Sequence, residues 1–184
     1  MQDRRELIKT LYLLQLQHNG IEAHEFDHLE DVDVSLLEKH NSKYFLKRDA
    51  RKMIKVALTG GVFDILHYGH LYTLQKAKAL ADVLVVVVAR DETIALRKNR
   101  KAIHSLEHRR RLVDSLKPVD IALAGYPGGS FKEMLDMVQP DFVVFGYDQK
   151  PPEGLKGNFK VIQLKESVDG QELKTSEIIR QLEL

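Results

Sequence analysis

The stretch "GGVFDILHYGH" (residues 60–70) joins a predicted strand, "MIKVALT", to a predicted helix through a turn rich in glycine and histidine. Gly60 and Gly61 permit positive φ and let backbone N–H groups approach an anion. His67 and His70 flank the predicted start of the helix, where free N–H groups and the helix dipole attract negative charge. The pattern predicts a turn that holds phosphate groups. The alternative is a structural turn with two incidental histidines.

The chain beyond this turn alternates between strand and helix patterns. "VLVVVVA" (residues 83–89) is rich in β-branched residues, which is typical of a central parallel strand buried on both faces. Further strands are predicted at "VDIALAG", "DFVVFG" and "FKVIQL", and helices at "GHLYTLQKAKALA", "SLEHRRRLVDSLK", "GSFKEMLDMV" and "TSEIIRQLEL". The alternation predicts an α/β fold, with a Rossmann-like parallel sheet and helices on both faces. In such sheets ligands bind at the carboxyl ends of the strands, where residues 60–70 lie.

The first 52 residues follow a different pattern. "RRELIKTLYLLQLQ" places apolar residues at helical spacing, and a second, weaker helix is predicted from near Asp33 through "VSLLEKHN". The sequence thus predicts a small helical appendage over residues 1–52 and an α/β domain over residues 53–184. "HEFDH" (residues 24–28) matches the H-E-x-x-H zinc motif, but so short a match in a small segment indicates incidental surface histidines.

Composition excludes several classes of protein. The chain has 184 residues and no cysteine, which rules out disulfides, thiolate nucleophiles and cysteine-bound zinc. The absence of cysteine also fits a cytoplasmic location. A net charge of +1 gives no global attraction to nucleic acid or to acidic membrane surfaces. The longest apolar run is far below the ~20 residues that span a bilayer. We therefore expect neither nucleic acid nor membrane as a partner.

The stretch "GVFDILHYGH" resembles the G-x-F-D-x-x-H-x-G-H signature of the HxGH nucleotidyltransferase superfamily and fits it at every motif position. The resemblance covers residues 54–182 and is closest to the cytidylyltransferase-like branch with its HUP-type sheet. Within that branch, "VARDETIALRKNRKAIHSLEHRRRLVDSLKPVD" and "VVFGYDQ" are similar to stretches of archaeal FAD synthases. The resemblance implies transfer of a nucleotide from a nucleoside triphosphate, ATP or CTP, to a phosphate-bearing acceptor. It also implies Mg²⁺ or another divalent cation as cofactor, release of pyrophosphate and a homodimer.

The resemblance also implies roles for individual residues. Catalytic roles fall on His67, His70, Lys98 and Arg109. Nucleotide binding falls on the two histidines and on Gly61, Val62, Phe63, Asp64, Gly146, Asp148, Thr175 and Ser176. Acceptor binding falls on Arg97, Arg100, Lys101, Tyr147 and Gln149. The basic residues are predicted on a loop at the sheet edge. Asp64 is expected to orient its loop or to help hold Mg²⁺, and no metal ligand is assigned.

Several functions remain open at this point. The stretches similar to archaeal FAD synthases favour FMN adenylyltransferase activity. A CTP-dependent cytidylyltransferase for glycerol-3-phosphate or another polyol phosphate is the alternative, as is a sugar-phosphate adenylyltransferase. A non-catalytic nucleotide sensor is a further alternative, which the intact pair of histidines opposes. Release of pyrophosphate distinguishes an enzyme from a sensor.

Overall fold

The computed structural model describes residues 4–28, 32–98, 101–152 and 154–165. The chain divides into two compact units, Met1–Lys55 and Val56–Leu184. None of the described helices is long and apolar enough to cross a membrane.

The first unit mixes helix and strand. Helix α1 (Arg4–His18) lies where the sequence predicts a helix, and its buried side chains follow the helical spacing. The prediction of a second helix is wrong, because the segment after Asp33 forms one 3₁₀ turn and then strand β1 (Leu37–His40). Strand β1 pairs antiparallel with β2 (Lys43–Leu46). Asn41 adopts φ 55° in the turn between them, a left-handed conformation that asparagine tolerates and that reverses the chain.

A short helix, α2 (Arg48–Arg51), completes the first unit, and the second unit alternates strands with helices. Its elements are β3 (Val56–Gly61), α3 (Tyr68–Lys78), β4 (Val83–Val88), α4 (Asp91–Lys98), α5 (Leu106–Asp114), β5 (Ile121–Ala124), α6 (Phe131–Val138), β6 (Phe142–Phe145) and β7 (Lys160–Gln163). The predicted strands are confirmed, and all six residues of β4 are buried. The predicted closing helix, "TSEIIRQLEL", lies outside the described residues.

The strands form one parallel sheet in the order β5-β4-β3-β6-β7, which confirms the predicted Rossmann-like α/β class. The chain leaves β3 on one side through β4 and β5, and then crosses to the other side of β3 to form β6 and β7. In open parallel sheets a crevice opens at such a reversal, beyond the carboxyl ends of the strands. The segment between β3 and α3 lies at this crevice.

Helix α4 was not predicted. Arg97 and Lys98 were expected on a loop, but they are the last two residues of α4. The helix begins with Asp91 and Glu92, whose carboxylates suit the positive end of a helix dipole, and it buries Ile94. The side chains of Arg97 and Lys98, and the whole of Arg100, lie outside the described part of the chain.

Candidate active site

The glycine loop, residues 60–67, is held in one shape by Phe63. Phe63 adopts φ 52°, a left-handed conformation that is rare for a bulky side chain, and it is 4% exposed. Its ring lies beneath Gly61, where an added Cβ would come within 2.9 Å of the phenyl Cε2. Position 61 therefore needs glycine. Strained backbone of this kind persists where the surroundings fix it, which is common at functional sites.

The two histidines of the loop form a stacked pair at the start of α3. Their ring centroids are 3.8 Å apart at an interplanar angle of 29°, and the Phe63 ring lies 5.1 Å from that of His70. His67 precedes the first residue of α3 and makes no side-chain cap. The N-terminal end of α3 therefore lies beside both imidazoles, an arrangement suited to phosphate because the helix dipole places positive charge there.

Burial sets the protonation state of His67. Burial lowers the pKa of the half-buried His67 ring, and the nearby Asp148 carboxylate offsets part of this effect. The Nδ1 atom of His67 is buried and has no hydrogen-bond partner among the residues that the structure describes. The lowered pKa favours the neutral form of the His67 ring in the free protein.

Asp64 ties the loop to the segment that follows the basic residues. Its side chain is 0% exposed, and its carboxylate accepts hydrogen bonds from the backbone N–H groups of Ile103 and His104, both at 3.0 Å. The ring Nδ1 of His104 donates to the backbone carbonyl of Asp64 at 2.9 Å. Of the two roles expected for Asp64, these bonds support the orientation of the loop.

Arg109 is buried rather than exposed to a ligand. It is 0% exposed, and its guanidinium donates to three backbone carbonyls and to the carboxylate of Asp91. A direct catalytic contact between Arg109 and substrate, as the resemblance implied, does not fit this burial. The sequence signal for a structural role was missing, because Arg109 sits in the basic run "HRRR" and resembles its exposed neighbours.

The segment after β6 closes the other side of the crevice. The backbone N–H of Gly146 donates to Oε1 of Gln149 at 3.0 Å, and Nε2 of Gln149 donates to the carbonyl of Gly60 at 3.0 Å. The Gln149 amide thus bridges the carboxyl ends of β6 and β3, a role that differs from the expected acceptor contact. Tyr147 is half-buried and Asp148 is exposed beside it.

The remaining predicted site residues are placed as follows. Lys101 is exposed, just before the segment that Asp64 holds. Thr175 and Ser176 lie outside the described residues. Asp91 and His104 were not predicted; their sequence signals are weak, since each is one of several polar residues around a helix start.

No metal centre is evident in the described ranges, where no three His, Asp or Glu side chains converge. The segment "HEFDH" lies in a 3₁₀ helix (Ala23–His28). Glu25 of this segment pairs instead with His18.

The chain is similar to archaeal FAD synthases. It is 39% identical over 145 residues to the FAD synthase of Thermococcus onnurineus, covering 74% of this chain and 96% of that protein. It is 44% identical over 137 residues to the FAD synthase of Aciduliprofundum boonei, covering 69% and 89% of the two chains. These alignments agree with the predicted similarity to this group.

A solved structure and a protein family also match this chain. The lipopolysaccharide core biosynthesis protein of Thermoplasma volcanium is 36% identical, with a TM-score of 0.57, and the match covers 63% of this chain and 99% of that chain. The cytidylyltransferase-like family matches residues 58–181, which include the glycine loop, both histidines and the segment around His104. The chain therefore belongs to the cytidylyltransferase-like family and is a nucleotidyltransferase.

Proposed function

We propose that the chain is an FMN adenylyltransferase, which transfers AMP from ATP to the phosphate of FMN and releases pyrophosphate. The observation that carries the proposal is the stacked pair His67 and His70, set at the start of α3 and beside a glycine turn. The FAD synthases of T. onnurineus and A. boonei, to which the chain is similar over most of their length, support FMN as the acceptor.

The proposed reaction depends on in-line positioning of the two substrates and on neutralisation of phosphate charge, more than on a covalent nucleophile. A phosphate oxygen of FMN attacks the α-phosphorus of ATP in line, the bond from that phosphorus to the bridging oxygen breaks, and pyrophosphate leaves with the electron pair. His67 and His70 donate to the α- and β-phosphates, together with the N–H groups at the start of α3 and the backbone at Gly61 and Val62. The negative triphosphate raises the pKa of a neighbouring imidazole, so binding favours the protonated form of His67.

The two substrates occupy opposite sides of the histidines in this proposal. The adenosine and the triphosphate lie along Gly146, Asp148 and the Thr175–Ser176 pair. The acceptor phosphate lies near the basic residues Arg97, Lys98, Arg100 and Lys101, with Tyr147 and Gln149 at its border. Mg²⁺ enters with the triphosphate, since this ion takes most of its ligands from phosphates and water. The Asp64 carboxylate is already used by backbone N–H groups.

The proposal extends to the organisation of the molecule. Residues 53–184 carry the whole active site, and residues 1–52 are an appendage to it. The division of the chain between Lys55 and Val56 supports this boundary. The family resemblance also implies a homodimer, which analytical ultracentrifugation of the full chain tests.

A pyrophosphate-release panel tests the function. ATP and CTP are each combined with FMN, glycerol-3-phosphate and sugar phosphates in the presence of Mg²⁺. We expect release from ATP with FMN, with FAD as the second product. Release only from CTP with a polyol phosphate would replace the proposal by a cytidylyltransferase, and binding of nucleotide without release would indicate a sensor.

An FMN titration tests the acceptor independently. Flavin fluorescence should be quenched with micromolar affinity, on the order of −8 kcal/mol. Aromatic faces stack well on flat rings, so Tyr147→Ala should weaken the quenching. Tyr126→Ala, a change at another tyrosine of the same unit, is the matched control. Equal affinity in the Tyr147 and Tyr126 variants would remove Tyr147 from the acceptor site.

A further inference from the structure

Arg90 lies where the chain leaves the sheet, between β4 and α4, and its side chain joins the ends of two strands. Its Nε donates to the carbonyl of Gly125 at 2.7 Å, and Gly125 directly follows β5. Strands β4 and β5 are neighbours in the sheet. The guanidinium therefore lies across their carboxyl ends, the edge at which open parallel sheets bind ligands.

Hydrogen bonds fix the backbone on both sides of this guanidinium. The N–H of Ala89 donates to the carbonyl of Gly61 at 2.8 Å, which joins the start of this connection to the glycine loop. The N–H of Gly125 donates to the carbonyl of Val88 at 2.9 Å, and a Cβ added at Gly125 would come within 3.3 Å of that carbonyl oxygen. Arg90 thus begins at one fixed segment, and its Nε is bound to a second.

The positive charge of Arg90 is not neutralised within the described part of the chain. The side chain is partly exposed, and beyond the bond of Nε its guanidinium pairs with no residue that the structure describes. Nη1 and Nη2 therefore keep four N–H donors. The adjacent carboxylate, Asp91, pairs with Arg109 instead. Two neighbouring amino groups of a guanidinium match the spacing of phosphate oxygens, which they bind in pairs.

Charge distinguishes the two sides of the crevice. Strands β4 and β6 flank β3 on opposite sides. The Asp148 carboxylate follows β6 and lies near His67, whereas the unpaired cation of Arg90 follows β4. In-line transfer requires the attacking oxygen and the leaving pyrophosphate on opposite faces of the α-phosphorus. With the nucleotide along the segment after β6, the attacking phosphate approaches from the side of Arg90.

We propose that Arg90 binds the phosphate monoester of the acceptor through Nη1 and Nη2, while its Nε stays bonded to Gly125. The inference rests on the proposed function, which supplies an acceptor that carries a phosphate group. The bond to Gly125 orients the guanidinium before the acceptor arrives, so less conformational freedom is lost on binding. Arg90 thereby selects a phosphorylated acceptor over the same compound without its phosphate.

The central test compares FMN with riboflavin, the same flavin without its phosphate, on wild type and on Arg90→Gln. Flavin fluorescence measures both affinities. The affinity for FMN should fall by about 10- to 100-fold, the scale of hydrogen bonds to a charged group, while the affinity for riboflavin stays as in wild type. Arg111→Gln, at an exposed arginine of α5 that pairs with Glu107, is the matched control and should change neither affinity.

Two results of the titration would overturn the proposal. An equal loss of affinity for FMN and for riboflavin would show that Arg90 only supports the backbone at Gly125, because a loosened loop weakens both flavins alike. An unchanged affinity for FMN in Arg90→Gln would show that Arg90 does not reach the phosphate.

Steady-state kinetics distinguishes the phosphate of the acceptor from those of the nucleotide. Arg90→Gln should raise the KM for FMN and leave the KM for ATP as in wild type. An equal rise in both KM values would place Arg90 on the triphosphate and overturn the assignment. Arg90→Lys keeps the charge but loses the planar fork, so its KM for FMN should lie between those of wild type and Arg90→Gln. A higher KM in Arg90→Lys than in Arg90→Gln would contradict recognition of charge.

The wild-type protein keeps this result separate from the proposed function. Failure of wild type to bind FMN, with turnover of CTP and glycerol-3-phosphate, would refute the FMN assignment. The test of Arg90 then uses the KM for glycerol-3-phosphate against the KM for CTP, with the same expectation. Tight binding of FMN by wild type and by Arg90→Gln alike would refute the role of Arg90 and leave the FMN assignment intact.

Discussion

At the scale of single residues, the stacking of His67 on His70 links the charge of these rings to the binding of a ligand. Two imidazolium rings with centroids 3.8 Å apart repel each other, and burial already disfavours the charged form of His67. A bound triphosphate would add its negative charge to that of the nearby Asp148 carboxylate. In the proposed complex this charge favours the protonated form of His67, so nucleotide binding should weaken as pH rises.

Removing either ring tests this pair. His67→Ala and His70→Ala should each lower kcat by ~10²-fold or more, the usual scale for the loss of one transition-state donor. His40→Ala, an exposed histidine in the first unit, is the matched control and should keep wild-type turnover. Steady-state pyrophosphate release and a melting curve measure the two effects. Near wild-type turnover in a folded His67 or His70 variant would contradict the assignment.

The lowered pKa of His67 also predicts how the stability of the free protein depends on pH. The pKa of the folded state lies below the ordinary value of 6.5, so the unfolded chain binds the proton more readily. The stabilising effect of the neutral ring is present above pH 6.5 and is lost as pH falls through the lower, folded-state pKa. When the pH is lowered from about 7.5 to about 5.5, the melting temperature of His67→Gln should therefore fall less than that of wild type. An identical loss in both proteins would contradict the shift.

At the scale of elements, the sequence predicts the strands and helices whose hydrophobic pattern is complete within the element itself. The sequence of strand β4 is an unbroken apolar run, rich in β-branched residues, because both faces of the strand are buried. Among the α4 side chains that the structure describes, only that of Ile94 is buried, and the helix begins at Asp91, whose partner Arg109 is 18 residues away. Strand β1 likewise depends on pairing with β2, which overrides the helical spacing of Val34 and Leu37. The glycine loop and its histidines were predicted from spacing, whereas the burial of Arg109 and the bridge by Gln149 depend on distant carbonyls.

The bridge between β6 and β3 gives a prediction at this scale. Gln149→Leu removes the amide that bonds both Gly146 and Gly60, so it should cost about 1–2 kcal/mol of unfolding free energy and weaken nucleotide binding. Gln163→Leu is the matched control, because the Gln163 side chain donates to the Gln149 carbonyl on the exposed side. Urea denaturation and an ATP titration measure both effects. Equal free energies of unfolding for Gln149→Leu and Gln163→Leu would contradict the bridging role of Gln149.

At the scale of the whole molecule, the two compact units predict that the catalytic part is separable. Domains with their own cores fold alone in principle. A chain that begins at Met53 should unfold cooperatively, and addition of ATP should raise its melting temperature by as much as we expect for the full chain. Thermal melting with and without ATP is the measurement. A folded shortened chain that ATP no longer stabilises would show that residues before Met53 help to build the site.

The crossing of the chain from β5 to β6 has a consequence for synthesis on the ribosome. The part of the unit that emerges first contains β3, both histidines, α3 and β4. Its two strands pair through a short connection. The bond from Gln149 to Gly60 joins residues 89 positions apart and forms only after β6 has emerged and docked on the far side of β3. Because closing such long loops is slow, the crevice is among the last parts of this unit to be completed. A nascent chain that stops before residue 149 therefore carries both histidines but lacks one wall of the crevice.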